Sequence, residues 1–312
     1  MTQIRRVGLV GAGLMGHGIA RNILKAGYPL TLLDHPGNQP VADLQAAGAQ
    51  VVASGREVAA VSDVVLLCVT GSPQVEAVLF EPEGVLSGLA EGGVVIDCST
   101  ALPGSTTAVA RRVAEAGGRF MDAAMTRTPR EAEAGRLNLI VGAPVSLFSA
   151  MRPLLASFAE TITHAGEVGA GHTLKLLHNY VSLGFSAVLL EAAAASRRAG
   201  IDDAALLEVL GSGGGAGVVL ERLRPYIEAS DPAGFRFSVA NASKDLEYYC
   251  RMADELAAQD DVARSVAALY RNGTAPERLV PELLEVLAQE TEHATLLDNH
   301  IPVSHQGAVK GA

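Results

Sequence analysis

RRVGLVGAGLMGHGIARNILKAG, Arg5 to Gly27, is the stretch whose reading decides the fold. A short Val/Leu run leads into three glycines spaced G-x-G-x-x-G, and a helical pattern follows at once. Glycine at 11 permits a tight turn, glycine at 13 lets the backbone approach a pyrophosphate, and glycine at 16 lets the helix pack closely on the strand. The start of such a helix offers unpaired N–H groups and positive dipole to phosphates. The spacing alone is weak. Its place after a first strand and before a helix is the context that turns it into a dinucleotide site. The loop Gly11, Ala12, Gly13, Leu14, Met15 and Gly16 is therefore the expected cofactor cradle.

Working outward, LTLL, VVLLCV and GVVIDCS are further compact, nearly continuous apolar runs. Parallel strands covered on both faces read this way. HGIARNILKAG, PQVEAVLFE and STTAVARRVAEAGG, which intervene, read as helices. The alternation predicts an α/β fold with a Rossmann-type doubly wound sheet. After TITHAGEVGAGH the texture becomes helical, beginning with TLKLLHNYVSLGFSAVLLEAAAASRRAG, long enough for more than twenty helical residues and closed by Gly200. The expected division is a dinucleotide-binding domain over 1–168 and an all-α domain over 169–312 that opens with a long interdomain helix. GSGGGAG, Gly211 to Gly217, follows no strand and carries no lysine, so it reads as a helix–helix connection.

The second strand ends at Asp34, where a carboxylate can accept bonds from ribose hydroxyls and repel a 2′-phosphate. HPGNQ, which follows, has no Arg or Lys, and NAD is expected over NADP.

Composition narrows the partners. The 312 residues carry 24 basic and 34 acidic side chains, a net charge of -10, which argues against a general polyanion binder while leaving room for a local basic pocket. Hydrophobic residues make up 49% and charged residues 19%, the balance of a buried globular chain. Cys68, Cys98 and Cys250 are far apart and read as reduced thiols of a cytoplasmic protein. MTQIRRVGLVGAG starts a strand too early to leave room for a signal peptide. No run of roughly 18 uncharged apolar residues appears, so no membrane span is expected. The tail SHQGAVKGA reads as frayed.

In GAGHTLKLLHNYVS, Gly169 to Ser182, Lys175, Asn179 and Ser182 fall at i, i+4 and i+7 and share one helix face. Leu174, Leu177, Val181 and Phe185 form the alternating face, expected to pack into a core. The polar stripe follows a glycine-rich turn at the domain junction, where ligand clefts form. His172 and His178 are six apart, and His293, His300 and His305 lack ligand spacing, so no metal is expected.

Four stretches together resemble the β-hydroxyacid dehydrogenases, the family of 3-hydroxyisobutyrate dehydrogenase and tartronate semialdehyde reductase. GAGLMGHGIARNILKAG resembles the N-terminal signature, DCSTALPGST (Asp97 to Thr106) the substrate loop, GAGHTLKLLHN the lysine helix and ASKDLEYYCRMA (Ala242 to Ala253) the K-D-L motif. Order and spacing hold from about residue 5 to 290. The resemblance implies that Lys175 is the acid/base and that Asn179 holds substrate. Ser99 and Thr100 would lie between substrate and nicotinamide, Lys244 on the cofactor side, and Val69 and Thr70 along the cofactor's approach. It also implies a homodimer or homotetramer. A lysine buried beside Lys244 and a cationic nicotinamide should be easier to deprotonate than usual. No His–Asp pair stands out in the chain as an alternative.

The chain departs from the family where D-A-P-V-S-G-G is usual: DAAMTRTPREAEAGRLNLIVG puts Thr126, Arg127 and Thr128 in place of S-G-G. Arginine is a good fork for carboxylate, sulfonate or phosphate, so Arg127 is expected to hold an acidic group on the substrate. KLLHNYVS is also similar to K-L-x-x-N-Y-x-S of the sulfolactaldehyde reductase branch; His178 stands at an open position of that pattern and is expected as a substrate contact. 6-Phosphogluconate dehydrogenase shares the GAGH, Lys and His-Asn elements but continues G-I-E-Y. Tyr180, Val181 and Ser182 stand here instead, and decarboxylation is not expected. Imine reductases and non-catalytic relatives generally lack the lysine, so Lys175 argues against both. The expected activity is the interconversion of a small, anionic 3-hydroxy acid and its semialdehyde or oxo form.

Overall fold

A computed structural model describes residues 4–273, 275 and 277–289. The expectations for the tail, for His293, His300 and His305, and for residues 290–312 of the second domain lie outside these residues. β1 (Val7–Val10) leads into α1 (Leu14–Lys25), then β2 (Leu30–Leu33), α2 (Ala42–Ala46), β3 (Gln50–Val52), α3 (Gly55–Ala60) and β4 (Val64–Leu67). Next come α4 (Ser72–Phe80), α5 (Val85–Gly88), β5 (Val94–Asp97), α6 (Pro103–Glu115), β6 (Arg119–Thr126), α7 (Pro129–Glu133), β7 (Leu137–Gly142), α8 (Val145–Leu155) and β8 (Ala159–Gly166). The eight strands form one sheet in the order β3-β2-β1-β4-β5-β6-β7-β8. All neighbours are parallel except β6 and β7, which pair antiparallel through Ala124 and Ile140.

β1, β4 and β5 are buried at every residue, as their unbroken apolar runs require. One face packs on α1 and α8 through Leu9, Ile19, Ile23, Leu66, Ile96 and Met151, and the other on α3, α4 and α6 through Val65, Val58, Leu79 and Val109. The order reverses direction between β1 and β4, and the carboxyl ends of strands flanking such a switch point form the crevice in which ligands bind.

The helical half comprises α9 (Ala170–Arg198), α10 (Asp203–Ser212), α11 (Val218–Ala229), α12 (Val239–Glu255), α13 (Asp261–Asn272) and α14 (Leu283–Ala288), with short 3-10 turns at Pro232–Phe235 and Val280–Glu282. Gly213 to Gly217 connect α10 to α11, as the glycine run predicts. α9 is the spine of a second core built from Leu176, Leu183, Leu190, Leu246 and Tyr270.

One expectation about α9 is reversed. Leu174, Leu177 and Val181 are 41%, 39% and 67% exposed, and Phe185 is only partly buried. Lys175 and Asn179 are buried in this turn, together with Leu176. Both sheet and helical half pack against the polar side, and the apolar stripe, continued by Val188, is left outside. By length and composition α9 could also cross a bilayer, but its inner face is occupied by these contacts.

Candidate active site

A cleft of about 600 Å³ runs from the glycine loop, past the ends of β4 and β5, to α9, α11 and α12. Its first wall is made by backbone geometry. Gly11 has φ +97°, and a Cβ there would stand 2.3 Å from the Cys68 carbonyl oxygen. A Cβ at 16 would stand 1.9 Å from the Gly11 carbonyl oxygen, so helix and turn meet only through glycine. Gly13 differs: a Cβ there would meet nothing within 4 Å. Protein packing does not demand glycine at 13, whereas a phosphate lying against the loop does. The start of α1 and the cleft residues Gly11, Gly13, Leu14, Met15 and Gly16 thus fit a dinucleotide pyrophosphate.

Asn38 holds this loop and was missed by sequence reasoning. Its Oδ1 accepts from Ala12 N–H at 3.0 Å, and its Nδ2 donates to the Leu33 carbonyl at 2.8 Å, joining the end of β2 to the glycine turn. HPGN carries the signature of a turn, and an Asn side chain in a turn reaches for nearby backbone. Asp34 is exposed at the end of β2. Leu33, His35, Gly37 and Asn38 line the cleft around it, but Asp34 does not.

Val69, Thr70, Ser99 and Thr100 all line the cleft where β4 and β5 end. Ser99 is buried, and its Oγ accepts from Val69 N–H at 3.1 Å. Its own N–H donates to Asp97 Oδ1 at 2.9 Å. His172 lies beneath this floor, with Nδ1 2.7 Å from Thr106 Oγ1 and Nε2 3.2 Å from the Ser99 carbonyl oxygen and 4.0 Å from Asp97 Oδ2. Burial, before any neighbour, pushes the Asp97 carboxyl up. A His–Asp proximity therefore exists, but neither residue lines the cleft. A second histidine, His17, lies between Asp43 and Glu133 at 3.0 and 3.2 Å, with Arg21 joining the same two carboxylates.

Asp122, midway along β6 where its pairing with β5 ends, fixes where α9 begins. Its Oδ1 accepts from Gly169 N–H at 2.7 Å and its Oδ2 from His172 N–H at 2.8 Å. A Cβ at 171 would stand 2.6 Å from that second oxygen and 2.5 Å from the Ile140 carbonyl, so G-A-G is what lets the helix start against the sheet. One turn later Lys175 enters the cleft.

Lys175 is buried, and its ammonium is pushed down to about 8. Desolvation is the main cause; the Asp245 charge opposes it, while Lys244 and Arg222 reinforce it. Asn179 is also buried, donating from Nδ2 to Asp245 Oδ2 at 2.6 Å, with Oδ1 3.0 Å from His178 Nδ1. Asp245 in turn pairs with Lys244 at 2.7 Å, and the Lys244 ammonium lies 4.9 Å from the Tyr248 ring centre. His178 is at the cleft mouth and is held below the usual imidazole range by partial desolvation, an effect that its Asn179 contact opposes and that Lys175 and Arg222 reinforce. Ser182 lines the same wall. Lys175, His178, Asn179, Ser182 and Lys244 are thus brought together, with Asp245 and Arg222 as members that sequence reasoning passed over.

Arg127 lines the cleft, but its Nη1 is already engaged. Its guanidinium is engaged by Glu160 and the Arg136 carbonyl, and its backbone sits at φ +80°. An arginine already satisfied by a carboxylate is a poor grip for a second one, which runs against the expectation that Arg127 holds the substrate's acidic group.

Residues 6–166 match the profile of the NAD binding domain of 6-phosphogluconate dehydrogenase, and residues 169–278 match that of the NAD-binding domain of NADP-dependent 3-hydroxyisobutyrate dehydrogenase. The 2-(hydroxymethyl)glutarate dehydrogenase of Eubacterium barkeri is 33% identical over 77% of this chain and 80% of its own. The chain belongs to the β-hydroxyacid dehydrogenase family. The 2-hydroxy-3-oxopropionate reductase of Escherichia coli is 32% identical over 81% of this chain and 85% of its own. A solved 3-hydroxyisobutyrate dehydrogenase from Salmonella typhimurium superposes with a TM-score of 0.79 at 25% identity, covering 90% of this chain and 99% of its own. Like other members of this family, the chain is an NAD(P)-dependent oxidoreductase of small hydroxy acids.

Proposed function

We propose that this enzyme interconverts an anionic 3-hydroxy acid and its semialdehyde or oxo form, with Lys175 as the acid/base. The single observation that carries this reading is the position of Lys175, buried in the cleft wall and pushed down to about 8. The nicotinamide, when bound, supplies the hydride acceptor or donor. Neutral Lys175 Nζ takes the hydroxyl proton as the alcohol is oxidised; its ammonium returns a proton to the carbonyl oxygen in reduction. Asn179, fixed by Asp245, holds the substrate one turn along, and the cation of Lys244 is kept near the cofactor side by the same carboxylate. In this reading Ser99 and Thr100, on the cleft floor, lie between the two ligands, and His178 and Ser182 face the substrate from the same α9 wall as Lys175.

In this reading residues 1–168 carry the cofactor and 169–312 the substrate and the subunit contacts. NAD is the cofactor, because no lysine or arginine among Asp34, His35, Gly37 and Asn38 could hold a 2′-phosphate, and Asp34 would repel one. The chain works as a homodimer or homotetramer, a reading supported by the exposed stripe of Leu174, Leu177, Val181 and Val188 on α9. Cys68, Cys98 and Cys250 are free thiols, which suits a cytoplasmic enzyme. Arg127 would act on an anion only by exchanging Glu160 for it.

The test is NADH and NADPH formation from a panel of hydroxy acids, including dicarboxylic, sulfonated and phosphorylated members, by the wild type and Lys175→Ala. The expected result is NADH formation from an acidic member and loss of about 100-fold or more in the variant. Comparable turnover by the two proteins removes the proposed role.

A further inference from the structure

Arg222, on α11, lines the same cleft, half-buried, with its guanidinium carbon 5.8 Å from the Phe235 ring centre. Among the described residues no carboxylate lies within 4.0 Å of it, and no hydrogen bond holds its side chain. Other half-buried arginines are satisfied: Arg224 by Glu221 and Glu228, Arg197 by Asp203 and Glu285, and Arg127 by Glu160. The positive charge of Arg222 is close enough to Lys175 and His178 to disfavour protonation of both. A cation that is half out of water, beside a buried lysine and without a counter-ion among the described residues, raises the free energy of the free protein. An anion placed against it removes that penalty and gains charge-assisted hydrogen bonds.

The anion cannot be the reacting hydroxyl, which belongs at Lys175. The proximal carboxylate of a 3-hydroxy acid is only two carbons from the reacting oxygen's carbon, so it stays near Lys175, Asn179 and Ser99. Arg222 enters the cleft from a different helix, and a second acidic group would complete its coordination. We propose that Arg222 determines specificity by donating to the distal carboxylate of a dicarboxylic 3-hydroxy acid. Its planar fork matches a carboxylate's two oxygens, and the Phe235 face supports the guanidinium. Arg236, exposed at the same rim, adds positive field that draws a dianion into the cleft. This rests on reading the cleft as a hydroxyacid dehydrogenase site.

The experiment compares oxidation of 2-(hydroxymethyl)glutarate and 3-hydroxyisobutyrate by the wild type, Arg222→Gln and Arg222→Lys, and titrates glutarate and butyrate into each NAD-loaded protein. The wild type should prefer the dicarboxylate. Arg222→Gln should lower that kcat/KM preference by about 10- to 100-fold, mainly through KM, and weaken glutarate binding similarly. Arg222→Lys should recover part of both. A preference and a glutarate affinity indifferent to residue 222, or a wild type that favours the monocarboxylate, would overturn the proposal. Binding of glutarate through Arg222 without oxidation of either acid would instead sink the dehydrogenase reading and keep the anion site.

Discussion

Asn179 Nδ2 donates to Asp245 Oδ2 across 2.6 Å, joining α9 to α12 in the cleft wall that also carries Lys175. The same carboxylate pairs with Lys244 and is the charge that favours protonated Lys175. Asp245→Asn removes that attraction and leaves Lys244 and Arg222 to repel the ammonium. Lys175 should therefore lose its proton at lower pH than in the wild type. A pH–rate profile of alcohol oxidation checks this: the acid limb should move down, and movement upward would contradict the arrangement.

Asp122 accepts two backbone N–H groups at the start of α9 and is fully buried. Asp122→Ala leaves both donors without partners, at a cost of about 2–5 kcal/mol. Urea denaturation should show that loss, with Asp122→Asn intermediate because one acceptor oxygen remains. Equal midpoints for the wild type and the alanine variant would refute the capping role.

Arg127 occupies a left-handed backbone position, at φ +80°. Glycine enters that region without the Cβ clash that any other residue meets. Arg127→Gly should be more stable than Arg127→Ala by about 1 kcal/mol, measured by thermal or urea denaturation. The two variants lose the same Glu160 contact, so the difference isolates the backbone term.

Asp34 is the proposed discriminator against a 2′-phosphate, although it is exposed and not itself a cleft-lining residue. Asp34→Ser should lower the NAD/NADP ratio of kcat/KM about tenfold, the scale of one removed like-charge contact near the surface. An unchanged ratio would move the discrimination to the backbone of His35, Gly37 and Asn38.

Local pattern made part of this legible. The strands β1, β4 and β5 announce themselves because burial on both faces leaves no polar interruption, and Gly11, Gly13 and Gly16 read as a dinucleotide turn because a strand precedes them and a helix follows. Spacing correctly put Lys175, Asn179 and Ser182 on one face. It could not say which face is covered, because periodicity records a difference between sides and not what packs on either. The polar side of α9 turned inward because sheet and helical half both close on it, leaving Leu174 and Val181 outside. Asp122 reaches its partners across 47 and 50 residues, a relation no local pattern carries. Arg222 reads in sequence like Arg224, two residues away; only the fold shows that Arg224 has carboxylates beside it, while among the described residues Arg222 has none. Arg127 read as a free fork because Glu160, on a distant strand, was invisible as its partner.

The most direct test of the central claim is the pH dependence of kcat in both directions for the wild type, Lys175→Ala and Lys175→Arg. Lys175 near 8 must be neutral to take a proton and charged to give one. Oxidation should rise with pH through about 8 and reduction should fall through the same range, with Lys175→Arg unable to support oxidation because guanidinium does not deprotonate. Profiles that run in the same sense for both directions, or that survive in Lys175→Ala, would contradict the assignment of Lys175 as the proton carrier.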